Sequence, residues 1–66
     1  MQSALISDIG HHTSEATRLR FKALEAEQYR DLPGMVRYIR GLNDHAVHHE
    51  AIASALREQV QLVTLP

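Results

Sequence analysis

Tyr29-Arg30-Asp31-Leu32-Pro33-Gly34-Met35 is the stretch that decides the fold. Pro33 lacks the N–H that a continuing helix needs but suits the first turn of a new one, and Asp31 is a candidate cap for that helix. Residues 31–34 therefore predict a turn between a helix over about 3–30 and a helix over about 35–63, in a single domain covering 1–66. Outward from this turn run two stripes at heptad spacing. The first is Leu5, Ile9, His12, Ala16, Leu19, Ala23 and Ala26, and the second is Ile39, Leu42, Ala46, His49, Ala53, Leu56 and Val60. Paired in reverse order they keep one register, from Ala26 with Ile39 through Leu19 with Ala46 to Leu5 with Val60. A small residue faces a large one in most layers. The pattern predicts an all-α protein, an antiparallel two-helix hairpin of helical coiled-coil type.

Size makes this hairpin a thin one. Sixty-six residues rarely supply more than ~3–5 kcal/mol from one core, and such chains rely on disulfides, metals or association. With no cysteine, disulfides and thiolate sites are excluded, which points to a homodimer. The second helix carries Gly41, His48, Ala51, Ala55 and Leu62 on a face other than the seam. These five are the expected dimer interface, closing two hairpins into a four-helix bundle. The first stretch has no secretory pattern and no apolar run is long enough to span a membrane, so a cytoplasmic protein without membrane contact is expected (host cytoplasm if viral).

Within the helices, Thr13 and Ser14 are candidate N-caps, and Gly10 is a weak point. A helix from near Ser3, weakened or bent at Gly10, is favoured because Leu5 and Ile9 keep the register. The tail Val63-Thr64-Leu65-Pro66 is expected to fray.

Charge is uneven. Residues 18–40 hold Arg18, Arg20, Lys22, Arg30, Arg37 and Arg40 against Glu25, Glu27 and Asp31, a balance of +3. The remainder holds Arg57 against Asp8, Glu15, Asp44, Glu50 and Glu58, a balance of −4, and all five histidines. The turn end is thus basic, and the open end acidic and rich in imidazole. Tyr29 and Tyr38 are expected to pack over the hairpin end across one flank. A nucleic-acid ligand is not favoured, because strong binders carry a clearly basic balance.

His45 and His49 stand one helical turn apart, and His12 lies in the layer beside His49. These three are candidate metal ligands, with Glu15 and Glu50 as further donors. The alternative is that His12 and His49 are polar interruptions that fix register, leaving His11, His45 and His48 facing solvent. No cofactor is expected. The chain has no cysteine nucleophile, phosphate-binding glycine loop or serine elbow, so it is expected not to be an enzyme. Phe21 and Leu24 form an outer apolar pair on the first helix. With Arg18 and Lys22 beside them they are the candidate partner-binding surface, since an apolar anchor ringed by cations is a common hot-spot composition.

Two families of small helical hairpins resemble parts of the chain. Leu42-Asn43-Asp44-His45-Ala46 resembles a segment of the plasmid-encoded Rop family, which implies a dimeric four-helix bundle and an RNA-binding regulator. The spacing of Leu19-Arg20, Tyr38, Leu42, Val47, Glu50 and Leu56 is similar to that of the NblA family, adaptors of phycobilisome degradation, which implies a dimer of hairpins that binds protein. The expectation taken forward is a non-enzymatic module that binds a protein partner as adaptor, inhibitor or assembly factor, of the kind that phages and plasmids encode. A Rop-like RNA regulator and a histidine-based metal-binding bundle are the alternatives.

Overall fold

A computed structural model of the protein describes residues 2–64, with side chains from 4 to 62. Helix α1 covers Gln2–Ala26 and helix α2 covers Met35–Thr64, with a 3-10 segment over Glu27–Tyr29 between them. The two helices run antiparallel against each other along their lengths. Every residue of the two stripes is buried or half-buried, so the hairpin and its seam are as the heptads predict. Leu65 and Pro66 lie outside the described residues, and α2 continues through the expected frayed positions Val63 and Thr64.

Three local expectations are corrected. The α-helix ends at Ala26 rather than near residue 30, and its last turn tightens into the 3-10 form. Pro33 has no N–H to donate to the carbonyl of Tyr29, four residues before it, and that carbonyl instead accepts from Leu32 N–H at 2.9 Å, an i+3 bond of the tighter 3-10 kind. Thr13 and Ser14 cap nothing, because α1 runs unbroken through Gly10. The Thr13 hydroxyl instead donates to the carbonyl of Ile9 at 2.8 Å, and Thr17 does the same to Thr13 at 3.1 Å. Nor does Asp31 cap α2. Leu32 to Met35 form a β-turn closed by Met35 N–H donating to Leu32 O at 3.2 Å, with Gly34 at φ +82° just before the helix. Proline then glycine at the two central positions is the type II pattern, in which the second must adopt positive φ.

Packing is closest where the small residues lie. Ala16, Leu19 and Ala46 form one buried cluster and Ala23, Ala26 and Ile39 another, with Leu42 packed against both. These contacts reproduce the expected pairs Leu19 with Ala46, Ala23 with Leu42 and Ala26 with Ile39. Alanine at Ala46 and Ala53, both essentially inaccessible, lets the backbones approach.

The result is a rod of 54 × 14 × 12 Å with a radius of gyration of 15.4 Å. A compact chain of this length would have a radius near 11 Å. The accessible surface is 5117 Å² for 7.5 kDa, against about 4,200 Å² for a compact protein of that mass. Of the seven core residues among the described ones five are alanine, and only Leu19 and Ile39 are large. Phe21, Leu24, Val47 and Leu62 remain outside. No helix, among the described residues, is long and apolar enough to cross a membrane.

Candidate functional site

Two His-His pairs, His11-His12 on α1 and His48-His49 on α2, meet across the seam. His12 and His49 occupy stripe positions, so each is turned toward the opposite helix and is half-buried. Their Nδ1 atoms lie 2.7 Å apart. One ring donates its Nδ1–H to the lone pair of the other, so the two rings hold different tautomers at that edge. Their centroids are 5.0 Å apart. The two exposed neighbours stand edge-on to this pair, His11 at 5.1 Å from His12 and 6.5 Å from His49, and His48 at 6.2 Å from His49.

Salt links frame the pair. Arg18 grips Glu15 on α1, Nη2 to Oε2 at 2.7 Å. Arg20 of α1 reaches across to Glu50 of α2 with two parallel bonds, Nε to Oε2 at 3.0 Å and Nη2 to Oε1 at 2.6 Å. Further toward the open end Arg57 donates to the Thr13 hydroxyl at 3.1 Å. Near the turn Arg30 pairs with Glu27 at 2.9 Å.

Titration follows from these neighbours. The His49 imidazole sits below its ordinary pKa, chiefly because packing strips water from it and secondly because a charge on His12 opposes its own. Glu15 is held low by its bond from Arg18, and Glu50 by its bond from Arg20. The same bonds raise Arg18 and Arg20.

Of the expected metal ligands, the fold brings His12 and His49 together and leaves His45 out. His45 is exposed, and the His49 ring is committed to the seam rather than to the turn before it. Glu15 and Glu50 are occupied by arginines, which corrects their expected role as donors. Among the described residues no group of three or more His, Asp and Glu side chains has a metal-holding arrangement. The expectation that His12 and His49 lie in the seam while His11, His45 and His48 face solvent matches the structure.

Arg20 with Glu50, and Arg57 with Thr13, were not anticipated. Arg20 and Glu50 each follow a stripe residue, Leu19 and His49, so they flank the seam on the same side, and that spacing was the available signal.

The residues named for the expected surfaces are exposed. Phe21 and Leu24 are 61% and 66% accessible, and Leu24 borders a shallow depression of about 250 Å³ with Arg20, Ala23, Glu27 and Asn43. Gly41, His48, Ala51, Ala55 and Leu62 all face away from the seam. Tyr29 and Tyr38 border one shallow depression beside Lys22, Glu25 and Met35, each about half exposed.

No family model, curated protein or solved structure matches this chain at a significant level.

Proposed function

We propose that the protein is a non-enzymatic interaction module, a hairpin that pairs with a second copy through the outer face of α2 and binds a protein partner as adaptor, inhibitor or assembly factor. The observation that carries this reading is the surplus of surface over core. The rod exposes 5117 Å², about 900 Å² above a compact chain of its mass, and a stable dimer buries about 800 Å² per partner. Gly41, Ala51 and Ala55 present little bulk on the face away from the seam, and Leu62 at 73% accessibility supplies an apolar contact there. Small residues of this kind allow another helix to approach closely. Phe21 and Leu24, flanked by Arg18 and Lys22, then serve the partner.

RNA is less well supported as that partner. Three of the seven Lys and Arg side chains, Arg18, Arg20 and Arg30, already hold carboxylates. To use these three, a phosphate ligand would have to displace those carboxylates.

Sedimentation equilibrium is the first test, with a mass of two chains expected. Ala55→Glu places a charge in the proposed contact and should give single chains, since a buried unpaired charge costs several kcal/mol. Phe21→Glu should leave the dimer intact while abolishing capture of whatever protein the parent chain retains from its host. A dimer unaffected by Ala55→Glu but broken by Phe21→Glu would put the interface on α1 and overturn the assignment of both faces.

A further inference from the structure

We propose that His12 and His49 form a two-nitrogen site for a borderline divalent cation of the Zn²⁺ class, which clasps α1 to α2 at the end of the rod away from the turn. The proposal is independent of the dimer and of any protein partner. It rests on the meeting of two Nδ1 atoms from different helices at one point, 2.7 Å apart. Two imidazoles bound to one tetrahedral ion at Zn–N about 2.05 Å have nitrogens about 3.3 Å apart and ring centroids about 5.2 Å apart. The centroids already stand 5.0 Å apart. The rings therefore need to tilt, opening the nitrogens by about 0.6 Å, and the helices need not separate. In a neutral pair the hydrogen between the rings moves to Nε2 of the ring that carried it. Both Nδ1 lone pairs then face the ion, with no proton released.

The surroundings select the class of ion. Glu15 and Glu50 are held by Arg18 and Arg20, so the donors on offer are imidazoles and not carboxylates. Imidazole suits Zn²⁺, Ni²⁺ and Cu²⁺, whereas Mg²⁺ and Ca²⁺ require oxygen. No third protein donor is in place among the described residues, so water completes the coordination. The exposed flank beside His11 and His48 leaves room for it. Beyond this layer, toward the chain ends, Ala53 is the sole fully buried residue among the described ones, while Ile9, Leu56 and Val60 are half-buried. A clasp at His12 and His49 therefore acts where packing is weakest.

The test uses the full chain, treated with chelator and then titrated with Zn²⁺ alone. Calorimetry should give saturable binding of one ion per chain. Thermal unfolding should shift upward by roughly 10 °C or more at a hundredfold excess over Kd, because the ion binds the folded hairpin and not the separated histidines. Mg²⁺ should shift nothing. His12→Gln and His49→Gln should each weaken binding tenfold or more, and His45→Ala should leave it unchanged. Should a variant fail to fold, imidazole nitrogen spectra of the parent chain decide the matter, with Zn²⁺ moving the Nδ1 resonances of His12 and His49 first. Three results would overturn the proposal. They are resonance changes confined to His45 or His48, half an ion per chain with association on loading, and binding no tighter than about 1 mM.

Discussion

Gly34 is the residue whose backbone the fold constrains most. At φ +82° it is the one described residue in the left-handed region, and no atom beyond its chain neighbours lies within 4 Å of where a Cβ would stand. Replacing it with alanine therefore tests conformation without steric interference. Gly34→Ala should destabilise the hairpin by about 1–2 kcal/mol, the cost of holding an L-residue in that region, as read by urea denaturation. Gly10 is the opposite case. It lies inside α1 with the same open space around it, so Gly10→Ala should add about 0.8–1 kcal/mol through helix propensity alone. Gly41 is also helical and unobstructed within the hairpin, but it lies on the proposed contact face. Gly41→Ala should stabilise at chain concentrations too low for the proposed pairing, and weaken association when the concentration is raised. A uniform gain at all concentrations would mean that nothing packs against Gly41.

At the scale of the helices, alanine at the crossing layers sets how closely α1 and α2 lie. Ala46 has no accessible surface, and Ala16 and Leu19 pack in the same cluster. Ala46→Leu would insert a branched side chain where there is no room, at a cost of about 1–3 kcal/mol in thermal or chemical unfolding. The same reversal of size at an exposed alanine such as Ala51 should have little effect on the single hairpin. The seam was legible in the sequence because heptad spacing depends on only two things, the helical period and the direction of the chain. Pro33-Gly34 supplied the direction, so Leu19, Ala46 and the rest followed in register. The helix ends were less legible. Thr13 and Ser14 resemble caps, but threonine can also bond back to the preceding turn, and the half-buried Leu5 and Ile9 kept α1 helical before them. The site was legible in part. Facing positions in adjacent layers brought His12 to His49, whereas which way the carboxylates turned depended on long arginine side chains that periodicity does not locate. Arg20 with Glu50 is the clearest instance, a link between helices with both partners about half exposed.

For the whole molecule, the burial of His49 makes stability depend on acidity. In the fold its imidazole is shifted below the ordinary value by loss of water and by His12. The folded state therefore binds fewer protons than the unfolded chain near pH 6, and the unfolded state gains from acid. The stability contributed by the neutral ring is complete above the unfolded pKa of about 6.5 and is lost as pH falls through the lower folded value. His11, His48 and Glu15 face the same ring, the two histidines pressing its pKa down and the carboxylate pressing it up. Glu15 and Glu50 act in the same direction at lower pH. Their folded pKa values are depressed by Arg18 and Arg20, so the stability they contribute holds above about pH 4.3–4.5 and is lost below it. Two successive losses are expected on acidification, the first from the imidazole and the second from the carboxylates. Measured in chelator, the thermal midpoint should be lower at about pH 5.5 than at about pH 7.5. His49→Gln should remove most of that difference while retaining the drop below about pH 4.5. Equal midpoints at the two pH values in the parent chain would mean that water reaches His49 freely, and the contact at 2.7 Å with His12 would then not persist in solution.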